Sequence, residues 1–487
     1  MRISVSILLI TCLLVSVAAC ETFYENEPLA SNAVQSNTTE TLTETAKPLE
    51  TETQPIEETT EPYESSINVE LAEEYFSKAL AIWDEDDGEL WGIRLHAPLA
   101  FIDTIARYAA ANVPINGFQE SGGIYVGSLP HDFPKFIEAT TATINGVEIG
   151  VMSWNDVRNM QGVETETLRT LIHEGFHAIQ SQIVTGLHQS DELAHMYELE
   201  ARVSVLLELN ALRATISETG TARKAALLDA LSIRYARREM YPESAVEENH
   251  FEINEGLALF TEYMLVVSDK AQMLDWISKI IDEYSGTANL RRFGYFSGVL
   301  YAMLLEELNI EWKTGITYNT DLGSLLRQHL EFSELLPLEQ VDLTLYGNTE
   351  TLVMREKAWV ENYEMHTEGA REALIFNPTV SLFDEFYLEY EINEIEAFRL
   401  TTGLSHRFAI YGRLTVISEN WRLELYDGYI ELQSYPTTRI SIGSVTPIHV
   451  NEDRSRAANT DWELIITNDG YMIQDLPYGL VSVGLRE

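Results

Sequence analysis

The chain has 487 residues, 45% of them apolar, and a formal net charge of -45 at neutral pH. That is enough length for two or three ordinary domains and enough apolar material to give each a core. Acidic residues run along the whole chain, which repels phosphate backbones and anionic headgroups alike and excludes nucleic acid as a partner.

Arg2 precedes an apolar run from Ile3 to Ala19 that is too short and too poorly flanked for a stable spanning helix, so residues 1–20 read as an export signal. The run ends in Val17-Ala18-Ala19-Cys20, which resembles the bacterial lipobox. The resemblance implies cleavage ahead of Cys20, acylation of its thiol, and a protein held by lipid on the extracytoplasmic side of a bacterial cell membrane. Cys12, the other cysteine, falls inside the leader, so the processed chain is expected to have no internal disulfide and no thiol nucleophile.

Residues 21–68 are rich in Thr and Glu and poor in large apolar side chains, a composition that cannot offset the entropy of ordering. They read as an extended tether. A folded body is expected over 69–375, starting with a helical pattern at Leu71, Tyr75, Ala79 and Trp83. Gly122-Gly123 and Pro130 then punctuate short strands. One hairpin is well marked, with Ala139 to Ile144 and Val147 to Trp154 as β-rich runs on either side of Asn145-Gly146, the pair that tolerates the positive φ of a tight turn.

Helical periodicity dominates from Glu164 to about Leu374. Its first segment carries His173-Glu174-Gly175-Phe176-His177. Residues four apart on a helix share a face, so the two imidazoles can reach one zinc ion. Glu174 is rotated by about 100° from His173, so its carboxylate can take a proton from a water at the metal without ligating it. Gly175 is unfavourable in mid-helix by about 1 kcal/mol and signals the close approach of another group.

A zinc that keeps one position open needs a third protein ligand. Two choices stand. Glu198 and Glu200, in Tyr197-Glu198-Leu199-Glu200-Ala201, follow the histidines at short separation and resemble the Glu-x-x-Ala pattern of some gluzincins. Further on, Asn254-Glu255-Gly256-Leu257-Ala258 resembles the Asn-Glu-Gly-Phe-Ala segment of aminopeptidase-N-like gluzincins, and position for position Glu255 matches their carboxylate ligand. Glu262, two turns later, falls on the same face and suits a supporting role behind a ligand. The metzincin pattern does not apply, since Gln180 and Ile183 stand where it needs Gly and His.

The likeness covers Leu168 to Gln180 and Ile253 to Tyr263, and implies a zincin-like body of the gluzincin peptidase type holding one zinc ion and acting on a peptide or protein substrate. Tyr295 or His250 can supply the donor that a carbonyl oxygen needs as it becomes an oxyanion. Arg292 to Gly298 only faintly follows the Tyr-x-x-Gly turn of the aminopeptidases, with Ser297 in place of lysine, and reads as an aromatic core helix. No Gly-x-Met-Glu-Asn segment occurs, so exopeptidase activity does not carry over. As in zincins, the strand Val147 to Trp154 is a candidate to run along the cleft and pair with an extended substrate. Leu90-Trp91-Gly92-Ile93-Arg94-Leu95, with Pro98 and Asn112, is similar to uncharacterised bacterial zincin-like proteins.

After Phe376 the pattern alternates, as in Phe386-Tyr387-Leu388-Glu389-Tyr390, and a separate sandwich-like β domain is expected over 376–487 with Asp-Gly turns at Asp427-Gly428 and Asp469-Gly470. The whole reads as an α+β chain: a mainly helical body with a small N-terminal sheet, then the β domain. Two functions compete: a zinc-dependent peptide hydrolase, and an inactive zincin-like surface protein whose β domain engages a cell-wall or envelope partner.

Overall fold

The computed structural model describes residues 65–131, 133, 139–154, 157, 164–188, 193–267, 269–330, 334–376 and 378–485, the last range without 384–386, 391–395, 400–407, 419, 434–438, 444–447, 460 and 476–480. The expected leader, Cys20 and the tether as far as residue 64 lie outside the described residues. The last four residues assigned to the tether belong to the folded body. Ile67 is buried, the Ser66 amide and hydroxyl donate to Asp103 at 2.9 and 2.7 Å, and Trp154 Nε1 donates to the Ser66 carbonyl at 2.8 Å.

Helix α1 (Val69–Asp86) starts at Asn68, whose side chain accepts from the Leu71 amide, and buries Phe76, Ala79 and Trp83. A six-stranded sheet follows: β1 (Leu99–Asp103), β2 (Tyr108–Ala111), β3 (Gln119–Ser121), β4 (Ile124–Ser128), β5 (Ala139–Ile144) and β6 (Val147–Ser153), in the order β3-β4-β2-β1-β6-β5. The β5-β6 turn has φ of 47° at Asn145 and 86° at Gly146, the conformation that this residue pair favours. Strand β6 pairs in parallel with β1 and antiparallel with β5. Its hydrogen-bonding edges are both taken, so the expectation that Val147 to Trp154 pairs with substrate is not met; the edge strands of this sheet are β3 and β5.

Both sheet faces are buried, which the period-2 alternation of strands makes simple. Leu99, Phe101 and Met152 join the main core, while Ala100, Ile102, Ile149 and Val151 face a smaller one. Helix α2 (Glu164–Ile179) lies on the main-core face. At Gly150 an added Cβ would stand 2.6 Å from the Glu174 carbonyl, so only glycine lets β6 approach the helix backbone this closely.

Helices α3 (Leu199–Ser217) and α4 (Gly220–Met240) pack as a hairpin. Then comes one helical run: α5 (Ser244–Phe251), a π turn at Glu252–Gly256, α6 (Leu257–Glu262) and a second π turn at Tyr263–Val267. Helices α7 (Lys270–Tyr284), α8 (Phe293–Glu307), α9 (Leu322–His329) and α10 (Thr349–Arg371) complete the body. Among the described residues no helix is long and apolar enough to cross a membrane.

The C-terminal part is β structure with its own core around Trp421, Leu423, Trp462 and Leu464. Instead of two sheets of a sandwich, its eleven described strands form one hydrogen-bonded, almost wholly antiparallel sheet. Asp427-Gly428 is not a turn. It lies inside the long strand Trp421–Gln433, where Gly428 faces Gly412 beside a register shift that bends the pair. Asp469-Gly470 is a turn, but the strands on either side of it, Trp462–Ile466 and Tyr471–Asp475, pair with other strands. The segments Trp421–Leu425 and Trp462–Ile466 are antiparallel partners, Trp421 opposite Ile466 and Leu425 opposite Trp462.

Candidate metal centre

Three parts of the fold converge on the face of α2 that points into the body. Phe176 packs on Trp91, with ring centroids 5.5 Å apart, and Trp91 in turn meets Phe260 of α6 and donates from Nε1 to Thr261 at 2.9 Å. Trp91 is thus a wedge that fixes the separation of α2 and α6. Gly175 is explained by α1 and β1: a Cβ there would meet the Trp83 ring at 2.8 Å and Leu99 at 3.3 Å.

One turn apart on α2, the Nε2 atoms of His173 and His177 stand 3.2 Å from each other. Glu255, in the first π turn, brings Oε2 to 3.5 Å from His173 Nε2 and 3.3 Å from His177 Nε2. Among the described residues this is the one group of three or more His, Cys, Asp or Glu side chains with donor atoms close enough to share an ion. The three separations suit the edges of a tetrahedron around an ion bound at about 2.0–2.2 Å, the range for zinc with imidazole and carboxylate.

Both imidazoles are braced from behind. His173 Nδ1 meets Glu262 Oε2 at 3.2 Å, and Glu262 Oε1 accepts from Arg169 Nε at 2.5 Å. His177 Nδ1 meets Gln180 Oε1 at 2.9 Å, while the Gln180 amide donates to the carbonyls of Ile253 and Asn254 at 2.9 and 3.1 Å. Each ring is therefore oriented with Nε2 toward Glu255. Gln180 also ties α2 to the π turn that carries the third donor.

The electrostatics favour positive charge at the centre. Burial alone would raise the Glu255 carboxyl, but His177 and His173 hold it well below the usual range. Burial works against a charged His173 as well, yet its hydrogen bonds to Glu255 and Glu262 carry it up to about 10. Burial pushes the Glu174 carboxyl up, against the pull of the two imidazoles. Carboxylates packed this tightly on two imidazoles need positive charge between them, and a dication supplies it with both rings neutral and able to ligate. The donor set fits zinc: two nitrogens, one oxygen, and supports behind both rings.

Tyr295 of α8 completes the centre. Its ring is stacked on that of His173, with centroids 6.0 Å apart, and burial together with the neighbouring Glu255 carboxylate pushes its hydroxyl well above the ordinary tyrosine value. It is held protonated, as a donor. Beside Tyr295, on the side of the His173 ring held by Glu262 and Arg169, opens a cavity of about 250 Å3 lined by Glu166 and Arg292 as well as by Trp276 and Phe296.

No family model, curated protein or solved structure matches the chain. The chemistry of the site is therefore carried by its own residues.

Of the other residues named from the sequence, Glu198 and Glu200 are exposed at the start of α3. There they add to the effect of burial in raising the Tyr241 hydroxyl. Neither belongs to the group of side chains whose donor atoms can share an ion, so neither is a third donor. His250 is also elsewhere, with Nε2 3.1 Å from Asn319 Oδ1 and its ring against Tyr318 and His188. It lies on α5 before the π turn and does not reach the imidazoles. Gln180 and Arg169 were not singled out as supports; spacing of three residues after His177 is the signal that could have found Gln180.

Proposed function

We propose that the chain is a zinc-dependent hydrolase of peptide bonds, working on the outer side of a bacterial membrane to which Cys20 anchors it. The meeting of His173, His177 and Glu255 over 3.2 to 3.5 Å, beside the buried carboxylate of Glu174, carries this reading. Zinc held there supplies a Lewis acid and a water acidic enough to ionise near neutral pH. Glu174 takes the proton of the attacking water and returns it to the leaving amide nitrogen, a task that suits a carboxyl whose proton affinity burial has raised. Tyr295 donates from its hydroxyl to the carbonyl oxygen as negative charge grows there.

A surface binding protein with an inert body has no use for a carboxyl at the position of Glu174, buried at the cost of its solvation. The decisive experiment pairs elemental analysis with a Glu174→Gln variant on a mixed peptide library. One zinc per chain in both proteins and turnover lowered about 10²–10⁴-fold in the variant are expected. Equal turnover, or parent protein that takes up no zinc, overturns the reading.

A further inference from the structure

Behind the metal centre, on the far side of the helical run that carries Glu255, lies a buried ionic cluster that the proposed chemistry does not use. Arg234, Arg237 and Arg238 of α4 face Glu208 of α3, Glu248 of α5, Glu252 of the π turn and Asp321 at the start of α9. Arg234, Glu252 and Ser297 are each fully enclosed, at 0% exposure. Burying an ion pair costs solvation that apolar residues would not forfeit, so such clusters add little stability; their best-attested role is to fix register. The question is which register this one fixes.

Glu252 begins the π turn and Glu255 lies within it. Arg234 grips Glu252 with two hydrogen bonds, Nη1 to Oε1 and Nη2 to Oε2, both 2.7 Å, and the Ser297 hydroxyl of α8 donates to Oε1 at 2.7 Å. In a regular α-helix two residues three apart point within about 60° of each other, because each residue advances about 100°. In a π turn each residue advances less, so the two side chains spread further apart. That spread lets Glu252 reach back to Arg234 while Glu255 reaches forward to His173 and His177. The wider turn forfeits regular helical hydrogen bonding and persists only when its surroundings determine it.

We infer that Arg234, Glu252 and Ser297 form a positioning device: they clamp the π turn in the one register that delivers Glu255 to the two imidazoles. This rests on the zinc reading and adds to it a cause for the place of the third ligand. None of the three touches substrate or metal, so their effect passes through Glu255.

The test compares Glu252→Gln, which keeps the shape and removes the charge, with Glu248→Gln, which disturbs the same cluster where Arg237 and Arg238 hold Glu248 instead. Ser297→Ala removes a single hydrogen bond and guards against a variant that does not fold. Zinc affinity is read by chelator competition, and coordination by the visible spectrum of the cobalt-loaded protein, at a temperature where circular dichroism shows every variant folded. Glu252→Gln should weaken zinc by about 10–100-fold and alter the cobalt bands, with a smaller shift for Ser297→Ala; Glu248→Gln should lower the melting temperature and leave both metal readouts at parent values. Parent-like zinc affinity in Glu252→Gln and Ser297→Ala, or equal losses in Glu248→Gln, overturns the clamp while leaving the zinc centre standing. A parent protein that binds no zinc overturns both.

Discussion

Glu262 Oε2 stands 3.2 Å from His173 Nδ1, so the ring that offers Nε2 to the metal position is held from behind by a carboxylate seven residues after Glu255. Two helical turns bring Glu255 and Glu262 onto one face, and the pair grasps opposite nitrogens of one imidazole. A carboxylate in this place fixes the tautomer and raises the basicity of the ligand nitrogen. Glu262→Gln is therefore expected to weaken zinc by about 10–100-fold in chelator competition while the protein stays folded. An unchanged dissociation constant would remove Glu262 from the metal's support.

Tyr295 is predicted to act on the reaction and not on the metal. Its ring packs on His173, and its hydroxyl is kept protonated by burial and by the Glu255 carboxylate. In Tyr295→Phe the ring contact survives and the donor is lost. The expected result is kcat lowered about 10²–10³-fold, as for removal of one oxyanion donor, with zinc content and zinc affinity at parent values. A variant with parental kcat would show that the oxyanion takes its hydrogen bond from another group.

What the sequence displayed of this site follows from the range of the forces involved. His173, Glu174 and His177 are fixed by the pitch of one helix, and Asn145-Gly146 by the conformational freedom of two residues, so both could be read locally. Glu255 and Glu262 were legible through a resemblance and a two-turn spacing. The resemblance put Glu255 ahead of Glu198 and Glu200, but only packing, which brings Glu255 and neither of the other two to the imidazoles, can decide the matter. His250 failed for a related reason: residue type says nothing of direction. Asp427-Gly428 looked like a hairpin turn because glycine serves both turns and bulges, and only the partner strand with Gly412 decides between them.

The carboxyls of the buried ionic cluster are expected to contribute to the acid stability of the body. Burial alone would raise Asp321, but Arg234 and Arg238 hold it at about 2 against an ordinary 3.8. Glu248 is likewise opposed by burial and carried well below the usual range by Arg237 and Arg238. A carboxyl depressed in the folded state contributes stability that is full above its unfolded value and lost as pH falls through its folded value. The cluster's share of the stability should therefore be constant from pH 7 to about 5 and be lost from about pH 4 toward 2, so the urea midpoint of metal-free protein falls along that acid limb. Asp321→Asn should lower stability at pH 7 and make the acid limb shallower. An acid limb with the same slope in Asp321→Asn would mean that other carboxyls dominate the transition.

Where the ligand-bearing run crosses α8, backbone meets backbone. A Cβ added at Gly256 would lie 2.6 Å from Gly298 Cα and 2.9 Å from the Gly294 carbonyl, and neither is a flexible side chain that could swing aside. Gly256 follows Glu255 directly, so relief of the clash must move either α8, with Tyr295 on it, or the π turn, with the third donor on it. Gly256→Ala is thus expected to destabilise the chain by about 1–3 kcal/mol in urea titration, the range for overpacking a close-packed contact. Helix propensity runs the other way, since Ala is favoured over Gly by about 1 kcal/mol in a helix interior, so a net loss would isolate the steric term. Zinc affinity should fall along with it, because the displaced atoms adjoin Glu255. A Gly256→Ala protein as stable as the parent, with zinc bound as tightly, would mean that the two helices can separate without cost and that the glycine contact does not set the place of the ligand.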